Sequence, residues 1–145
     1  MTLPLSSSPL TFPFTELPMT GVPSTVAQGV LWCRHALPFA LDHINTWLLE
    51  DEDEWVIVDT GVADPVSQKG WENILKNELN NSKVSKIVIT HYHPDHIGGG
   101  MGGHSIEGIS DVIEKNPVKI FVNKHEAEGV KKVTGVSDTD INIVE

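Results

Sequence analysis

The chain has 145 residues, enough for one domain with a hydrophobic core but not for two comfortable ones. Hydrophobic residues make up 39%, which predicts a folded chain, and the net charge of −10 argues against nucleic acid or an anionic membrane surface as a partner. The single cysteine, Cys33, excludes an internal disulfide and a cysteine-based zinc finger, and it fits a reduced, cytoplasmic compartment. No uninterrupted apolar stretch reaches membrane-spanning length, so we expect no membrane partner.

The first third of the chain predicts an arm followed by strands. Residues 1–24 are rich in Pro, Ser and Thr and predict an extended N-terminal arm, which leaves residues 25–145 as one domain. The apolar run 26–33 predicts a first strand, with Cys33 as an ordinary core residue.

A hairpin and then alternating helices and strands follow. Residues 44–50 and 55–59 predict two strands around the acidic run 51–54, which we interpret as a solvated turn and not as a metal site. Apolar spacing then predicts further elements: a helix over 66–80, a buried strand over 86–90, a helix over 106–113, a strand over 119–122, a helix over 124–132 and a strand over 141–144. This order predicts an α/β fold with helices layered on a sheet.

The sequence THYHPDHIGG, residues 90–99, places metal-ligating side chains directly after the buried strand 86–90. The carboxyl end of such a strand is the usual place for an active site in an α/β fold. His91 and His93 are one residue apart and can reach one ion from an extended loop. Asp95 and His96 follow a proline that suits a first helical position, so they could serve a second ion. The alternative is a surface histidine tract that binds metal adventitiously.

Residues 90–99 resemble the metal-binding signature of the metallo-β-lactamase superfamily, and WVIVDTG, residues 55–61, resembles the strand and turn that precede it there. The resemblance implies the N-terminal half of an αββα sandwich, with a mixed sheet and helices on one of its faces. It further implies that His91 and His93 bind metal 1, that Asp95 and His96 bind metal 2, and that Asp59 supports these ligands from beneath the site. Asp59 could alternatively be a simple turn former.

The resemblance also implies a chemistry. One or two zinc ions, with iron or manganese as possible substitutes, would supply a metal-bound hydroxide that attacks an ester, thioester or lactam-like acyl bond. Asp95 would be the catalytic residue, because it both binds metal and orients the hydroxide. Thr before the first histidine and Gly-Gly after the last are similar to thioester hydrolases of the hydroxyacylglutathione type, although other branches share this form. We therefore expect a small-molecule acyl substrate whose identity is open.

The superfamily completes its site with two more histidines and a bridging aspartate from the second half of its fold. We interpret His104 as lying too close behind the cluster to match, His125 as a capping or surface residue, and Asp138 and Asp140 as loop formers. The chain is thus expected to be a truncated domain, corresponding to the N-terminal half. It would then self-associate or need a complementary C-terminal half. The alternative function is a non-catalytic metal-binding or interaction module.

Two further histidines precede the cluster. His43 opens a predicted strand, where it either caps the sheet edge or lines the mouth of the cleft and contacts substrate. The sequence offers no argument for a role of His35.

Overall fold

The computed structural model of the chain describes residues 11–98, 118–134, 137–139 and 141–145. Seven strands in these ranges form one sheet whose spatial order follows the chain. The strands are β1 (Ser24–Ala27), β2 (Val30–Ala36), β3 (His43–Asp51), β4 (Glu54–Val58), β5 (Val84–Ile89), β6 (Lys119–Asn123) and β7 (Ile141–Val144). Neighbours are antiparallel from β1 to β4 and parallel from β4 to β7. The mixed sheet confirms the predicted α/β fold.

Helices of the described part are α1 (Pro65–Asn73), α2 (Pro94–Ile97) and α3 (Ala127–Thr134). Asp64 caps α1 by accepting a hydrogen bond from the Ser67 backbone N at 2.7 Å, and Pro65 occupies the first helical position. The predicted helix 66–80 is α-helical only as far as Asn73 and continues as a π-helical segment over Ile74–Glu78. The predicted helix 106–113 lies outside the described residues.

Two predicted element boundaries were wrong, and local turns explain both. The single strand predicted over 26–33 is two strands, because Gln28 and Gly29 form a turn in which Gly29 adopts a φ of +69°. The helix predicted from residue 124 begins only at Ala127, because residues 124–126 form a turn closed by a 2.9 Å bond from Glu126 N to Asn123 O. The predicted β3–β4 hairpin around the acidic run is confirmed, and lysines pair with its flanks as Lys86–Asp51 and Lys83–Glu54.

Two cross-strand rows of side chains distinguish the faces of the sheet. Strand register aligns the helix-side row, which consists of Leu31, Leu48, Ile57, Ile87, Ile120 and Ile141. All but Leu31 are buried, in one core with Trp71 and Ile74 from α1 and its extension and Val130 from α3. The adjacent row projects from the opposite face and is called the open row; it consists of Trp32, Trp47, Val58, Val88 and Phe121. All five are half-buried.

The described part of the predicted arm, residues 11–23, contains neither strand nor helix and is attached to α1. Asn73 Nδ2 donates to Gly21 O at 2.8 Å, and a Cβ at Gly70 would lie only 3.1 Å from Thr20 Cγ2. Close backbone packing therefore fixes this segment against the helix, while its assignment as a unit separate from residues 25–145 stays a prediction. No helix among the described residues is long and apolar enough to cross a bilayer.

Candidate functional site

The predicted site residues lie where the parallel strands β4 and β5 end. Because these strands run side by side in the same direction, Asp59 after β4 and Thr90 after β5 meet at one edge of the sheet. Asp59 adopts a left-handed φ of +59°, a conformation that aspartate tolerates better than most residues. A short loop then leads from Thr90 to His93, and α2 begins at Pro94.

Asp59 is the centre of a hydrogen-bond network under the histidine cluster. Only 4% of the surface of Asp59 is exposed. Its carboxylate accepts three hydrogen bonds. Oδ1 accepts from Thr90 N at 2.8 Å, and Oδ2 accepts from Thr90 Oγ1 at 2.6 Å and from His96 Nδ1 at 2.7 Å. These donors satisfy a buried charged group that would otherwise be costly. The loop that carries the predicted ligands is thereby tied to the end of β4.

The same network fixes which ring nitrogens carry protons. A carboxylate can only accept, so His96 Nδ1 is protonated, and in the neutral ring Nε2 then holds the lone pair. The Thr90 hydroxyl donates its one proton to Asp59 and lies 3.0 Å from His91 Nδ1, so it accepts a hydrogen bond from the N–H of that ring. Asp59 therefore leaves the lone pair on Nε2 of both His91 and His96, the tautomer that carboxylates beneath metal-binding histidines also select.

The three histidine rings are clustered. The ring centroid of His91 lies 4.6 Å from that of His93 and 3.9 Å from that of His96. Nε2 of His96 is 3.8 Å from Asp95 Oδ2, comparable with the roughly 3.3 Å between two ligands of a tetrahedral zinc ion. Within the described ranges, however, no group of three or more His, Cys, Asp or Glu side chains is arranged to hold a metal ion. The four predicted ligands are neighbours, but their donor atoms do not form a complete coordination set.

The turn at residues 59–61 is bonded to α2 on one side. Thr60 N donates to His96 O at 2.7 Å, and Gly98 N donates to Gly61 O at 2.6 Å. On the other side, Trp71 Nε1 in α1 donates to Thr60 O at 2.8 Å. The backbone that carries His96 is thus fixed, through the turn, to the helix packed on the core.

His35 lies behind this turn, a position that sequence reasoning missed. It is fully buried, its ring centroid is 4.9 Å from that of Trp71, and its Nε2 lies 2.9 Å from Thr46 Oγ1. Burial lowers the pKa of His35 to about 4, although the charge of Asp64 acts in the opposite direction. Period-two alternation with Cys33 was the available signal that His35 faces the core.

The remaining candidates lie apart from the cluster. His43 begins β3, as predicted, and its Nδ1 donates to Asp42 Oδ1 at 2.6 Å, which lowers the pKa of that carboxyl; a substrate contact by His43 stays a prediction. His125 is exposed in the turn before α3, and Asp138 pairs with Lys131. Cys33 is buried, and burial raises the pKa of its thiol to about 12 against the opposing hydrogen bond from Thr46. His104 and Asp140 lie outside the described residues.

Comparisons with known proteins agree on one family. The model of the metallo-beta-lactamase superfamily matches residues 40–142. A beta-lactamase-like protein 2 homolog from Caenorhabditis elegans is 35% identical over 105 residues, which cover 70% of this chain and 32% of that protein. A hydroxyacylglutathione hydrolase from Idiomarina loihiensis is 35% identical over 89 residues, covering 60% of this chain and 28% of that protein.

A solved structure gives the same result for the fold. The beta-lactamase domain protein from Burkholderia ambifaria superposes with a TM-score of 0.71 at 26% identity, covering 90% of this chain and 47% of that one. The chain thus matches about a third or less of the length of the two curated relatives above and about half of this structure. Since the family model covers most of the chain, and both sequence and fold agree with it, the chain belongs to the metallo-beta-lactamase superfamily.

Proposed function

We propose that the chain carries the metal-binding half of a metal-dependent hydrolase that cleaves an acyl bond. The observation that carries this proposal is the network in which Asp59 orients His91 and His96 so that their Nε2 atoms are free. A structural turn former would not need to fix the protonation of two neighbouring imidazoles. Membership of a superfamily whose relatives here are named as hydrolases supports the same reading.

The proposed ligands are His91 and His93 for one ion and Asp95 and His96 for a second. The donor types suit zinc, and iron or manganese are possible substitutes, because imidazole and carboxylate serve all three. When bound, such an ion would acidify a coordinated water and polarise the carbonyl under attack. The donors of this chain alone leave the coordination incomplete, so we propose that further ligands come from a complementary half.

The residues of this chain have distinct roles in the proposed reaction. Asp95 is the catalytic residue, because its carboxylate faces His96 at the cluster and can accept a proton from the attacking water. Asp59 and Thr90 act through the histidines: they hold the rings in one orientation and in one tautomer. The rigid turn behind them limits movement of this arrangement during the reaction.

A thioester is the substrate class that we propose first. Its support is the sequence of residues 90–99 together with a relative named hydroxyacylglutathione hydrolase. A second candidate is a non-catalytic metal-binding or interaction module. The lack of three converging metal-ligating side chains in the described ranges favours the interaction form of this module over its metal-binding form.

The test is to measure zinc content and hydrolysis of a panel of ester, thioester and lactam substrates. Because the relatives are longer, we would assay the chain both alone and joined to a complementary C-terminal half. His91→Ala/His93→Ala should abolish uptake of one zinc ion and hydrolysis together. Asp95→Asn at saturating zinc should lower kcat about a hundredfold or more, because it removes a charge and a proton acceptor.

Exposed His125 provides the matched control, and His125→Ala should keep zinc content and kcat. Unchanged zinc content in the double variant would refute the metal assignment. Zinc bound through His91 and His93 without hydrolysis of any substrate, in either form of the protein, would favour the non-catalytic module.

A further inference from the structure

The exposed tyrosine within the histidine cluster, Tyr92, packs against α3. Its ring lies so close to Gly129 that a Cβ at residue 129 would be 2.6 Å from Tyr92 Cγ and 3.0 Å from Tyr92 Cβ. Rotation about χ1 of Tyr92 could move Cγ and the ring, but it would leave Cβ in place, 3.0 Å from the added atom. A Cβ at residue 129 therefore requires the tyrosine ring to leave its present position and the loop to shift slightly.

A glycine at this place in α3 has a cost that this contact explains. Glycine is among the poorest helix formers, and Gly129 is the third residue of an eight-residue helix. Alanine would suit the helix better, but it would collide with the tyrosine. Glycine thus lowers helix propensity at a helical residue that lies against Tyr92.

A hydrogen bond makes the second connection between α3 and the loop. Tyr92 N donates to Oε2 of Glu126, which lies in the turn just before α3, at 3.1 Å. The backbone of Tyr92 is held here, and the side chain is held at Gly129. Tyr92 is also the residue between His91 and His93, and its ring meets that of His93 edge-on at a centroid distance of 5.6 Å.

We infer that Glu126 and Gly129 are positioning residues that set the spacing of His91 and His93 through Tyr92. The inference rests on the proposed metal-binding function. Asp59 holds the outer ends of the cluster, at Thr90 and His96, but its carboxylate makes no hydrogen bond between them. α3 supplies the missing support in the middle of the loop.

The test uses Co²⁺ as the probe, because the visible absorption of bound Co²⁺ reports the number and geometry of its ligands. The variants Gly129→Ala and Tyr92→Ala are combined in a double-mutant cycle. Gly129→Ala alone should weaken Co²⁺ binding about tenfold, the lower end for a residue that supports ligands, and should change the absorption spectrum. In the Tyr92→Ala background the same change should alter affinity by no more than about twofold, the tolerance for independent sites.

Two further variants separate positioning from folding. Glu126→Ala should weaken Co²⁺ binding, whereas Glu126→Gln, which keeps an acceptor oxygen, should restore it. Lys132→Ala, an exposed change on the same helix, is the control and should leave affinity and spectrum unchanged. A readout without metal is the amide NMR spectrum: residues 90–96 should shift in Gly129→Ala and not in Lys132→Ala.

The possible failures are distinguishable. If the wild-type chain binds no Co²⁺, the proposed metal site is wrong and the inference fails with it. If the wild type binds Co²⁺ and Gly129→Ala binds it equally well, the positioning role is wrong while the metal site stands. An equal loss with and without the Tyr92 ring would assign the effect to the helix and overturn the inference. Should Gly129→Ala fail to fold, equal binding by Glu126→Ala and wild type would overturn it.

Discussion

At the scale of single residues, Asp59 determines the chemical state of the cluster. Its backbone is left-handed, a conformation of order 1 kcal/mol less favourable than an ordinary one. This conformation places the carboxylate where three hydrogen-bond donors converge. The Thr90 hydroxyl extends this effect to His91, because it donates its one proton to Asp59 and is therefore left to accept a hydrogen bond from the ring. Asp59 can therefore control the protonation of His91 and His96, which are proposed to bind metal, without itself contacting a metal ion.

Thr90→Val tests this relay, because it keeps the shape of the side chain and removes the hydroxyl. We expect zinc affinity to fall by about tenfold, the low end for support of metal ligands, since Thr90 is exposed and water can partly replace its hydroxyl. Asp59→Asn, which disturbs both histidines, should cost up to about a hundredfold. The measurement is a competition titration of each variant against a zinc-binding indicator.

Thr90→Ser is the matched control and should keep wild-type affinity, because it retains the hydroxyl. The relay would be refuted if Val and Ser at residue 90 bound zinc equally well. Loss of affinity in Thr90→Ser as well would show that the threonine methyl group contributes in addition to the hydroxyl.

At the scale of elements, local sequence could predict the strands better than the helix boundaries. Strands β3, β4, β5, β6 and β7 follow from alternating or continuous apolar runs in the sequence. The split into β1 and β2 depends on one glycine inside an apolar run, and the π-helical continuation of α1 has no counterpart in the apolar spacing of residues 66–80. Apolar periodicity therefore located these elements but not their boundaries.

The candidate site likewise combines residues that the sequence could predict with residues that only the fold reveals. The spacing of His91, His93, Asp95 and His96 could be read from one short segment, and the resemblance added Asp59. His35 and Glu126 could not be found in this way. They reach the site from strands and turns more than 25 residues away in the sequence, and only the folded sheet makes them neighbours.

The contact between β2 and α1 through His35 predicts a pH dependence of stability. Its pKa is about 4 in the folded chain and 6.5 in the unfolded reference, so the unfolded state binds the proton first as the pH falls. The stability is complete above about pH 6.5 and declines toward pH 4. Between about pH 7 and 4.5 this one group should account for a loss of about 2–3 kcal/mol in the free energy of unfolding.

Urea unfolding of His35→Gln across this range is the measurement, because glutamine can still bond to Thr46 but does not titrate. The variant should lose less stability than the wild type as the pH falls. His125→Gln, at an exposed position, should keep the wild-type slope. Equal slopes for His35→Gln and wild type would mean that the buried ring does not control the acid response.

At the scale of the whole molecule, the two faces of the sheet differ. The helix-side row, apart from half-buried Leu31, is buried in the core, whereas the open row presents two tryptophans, two valines and a phenylalanine that are only half-buried. Continuous apolar rows of this kind mark surfaces that other proteins or domains cover. The Burkholderia structure, of which this chain matches 47%, has a further half of its own. We propose that a complementary half covers the open row, and that a second copy takes its place when the chain is alone.

Sedimentation velocity of the isolated chain should therefore show a dimer or larger species at micromolar concentrations. Val58→Thr/Val88→Thr should shift it toward monomer, because threonine keeps the β-branched shape that strands favour and makes the centre of the open row polar. Ile143→Thr is the control: this apolar strand residue is more exposed than the open row, at 58%, but it lies outside that row. If the open row drives association, Ile143→Thr remains associated. Non-specific association through exposed apolar residues would instead make both variants dissociate alike. A wild-type chain that sediments as a compact monomer and binds no hydrophobic dye would refute the proposed docking face.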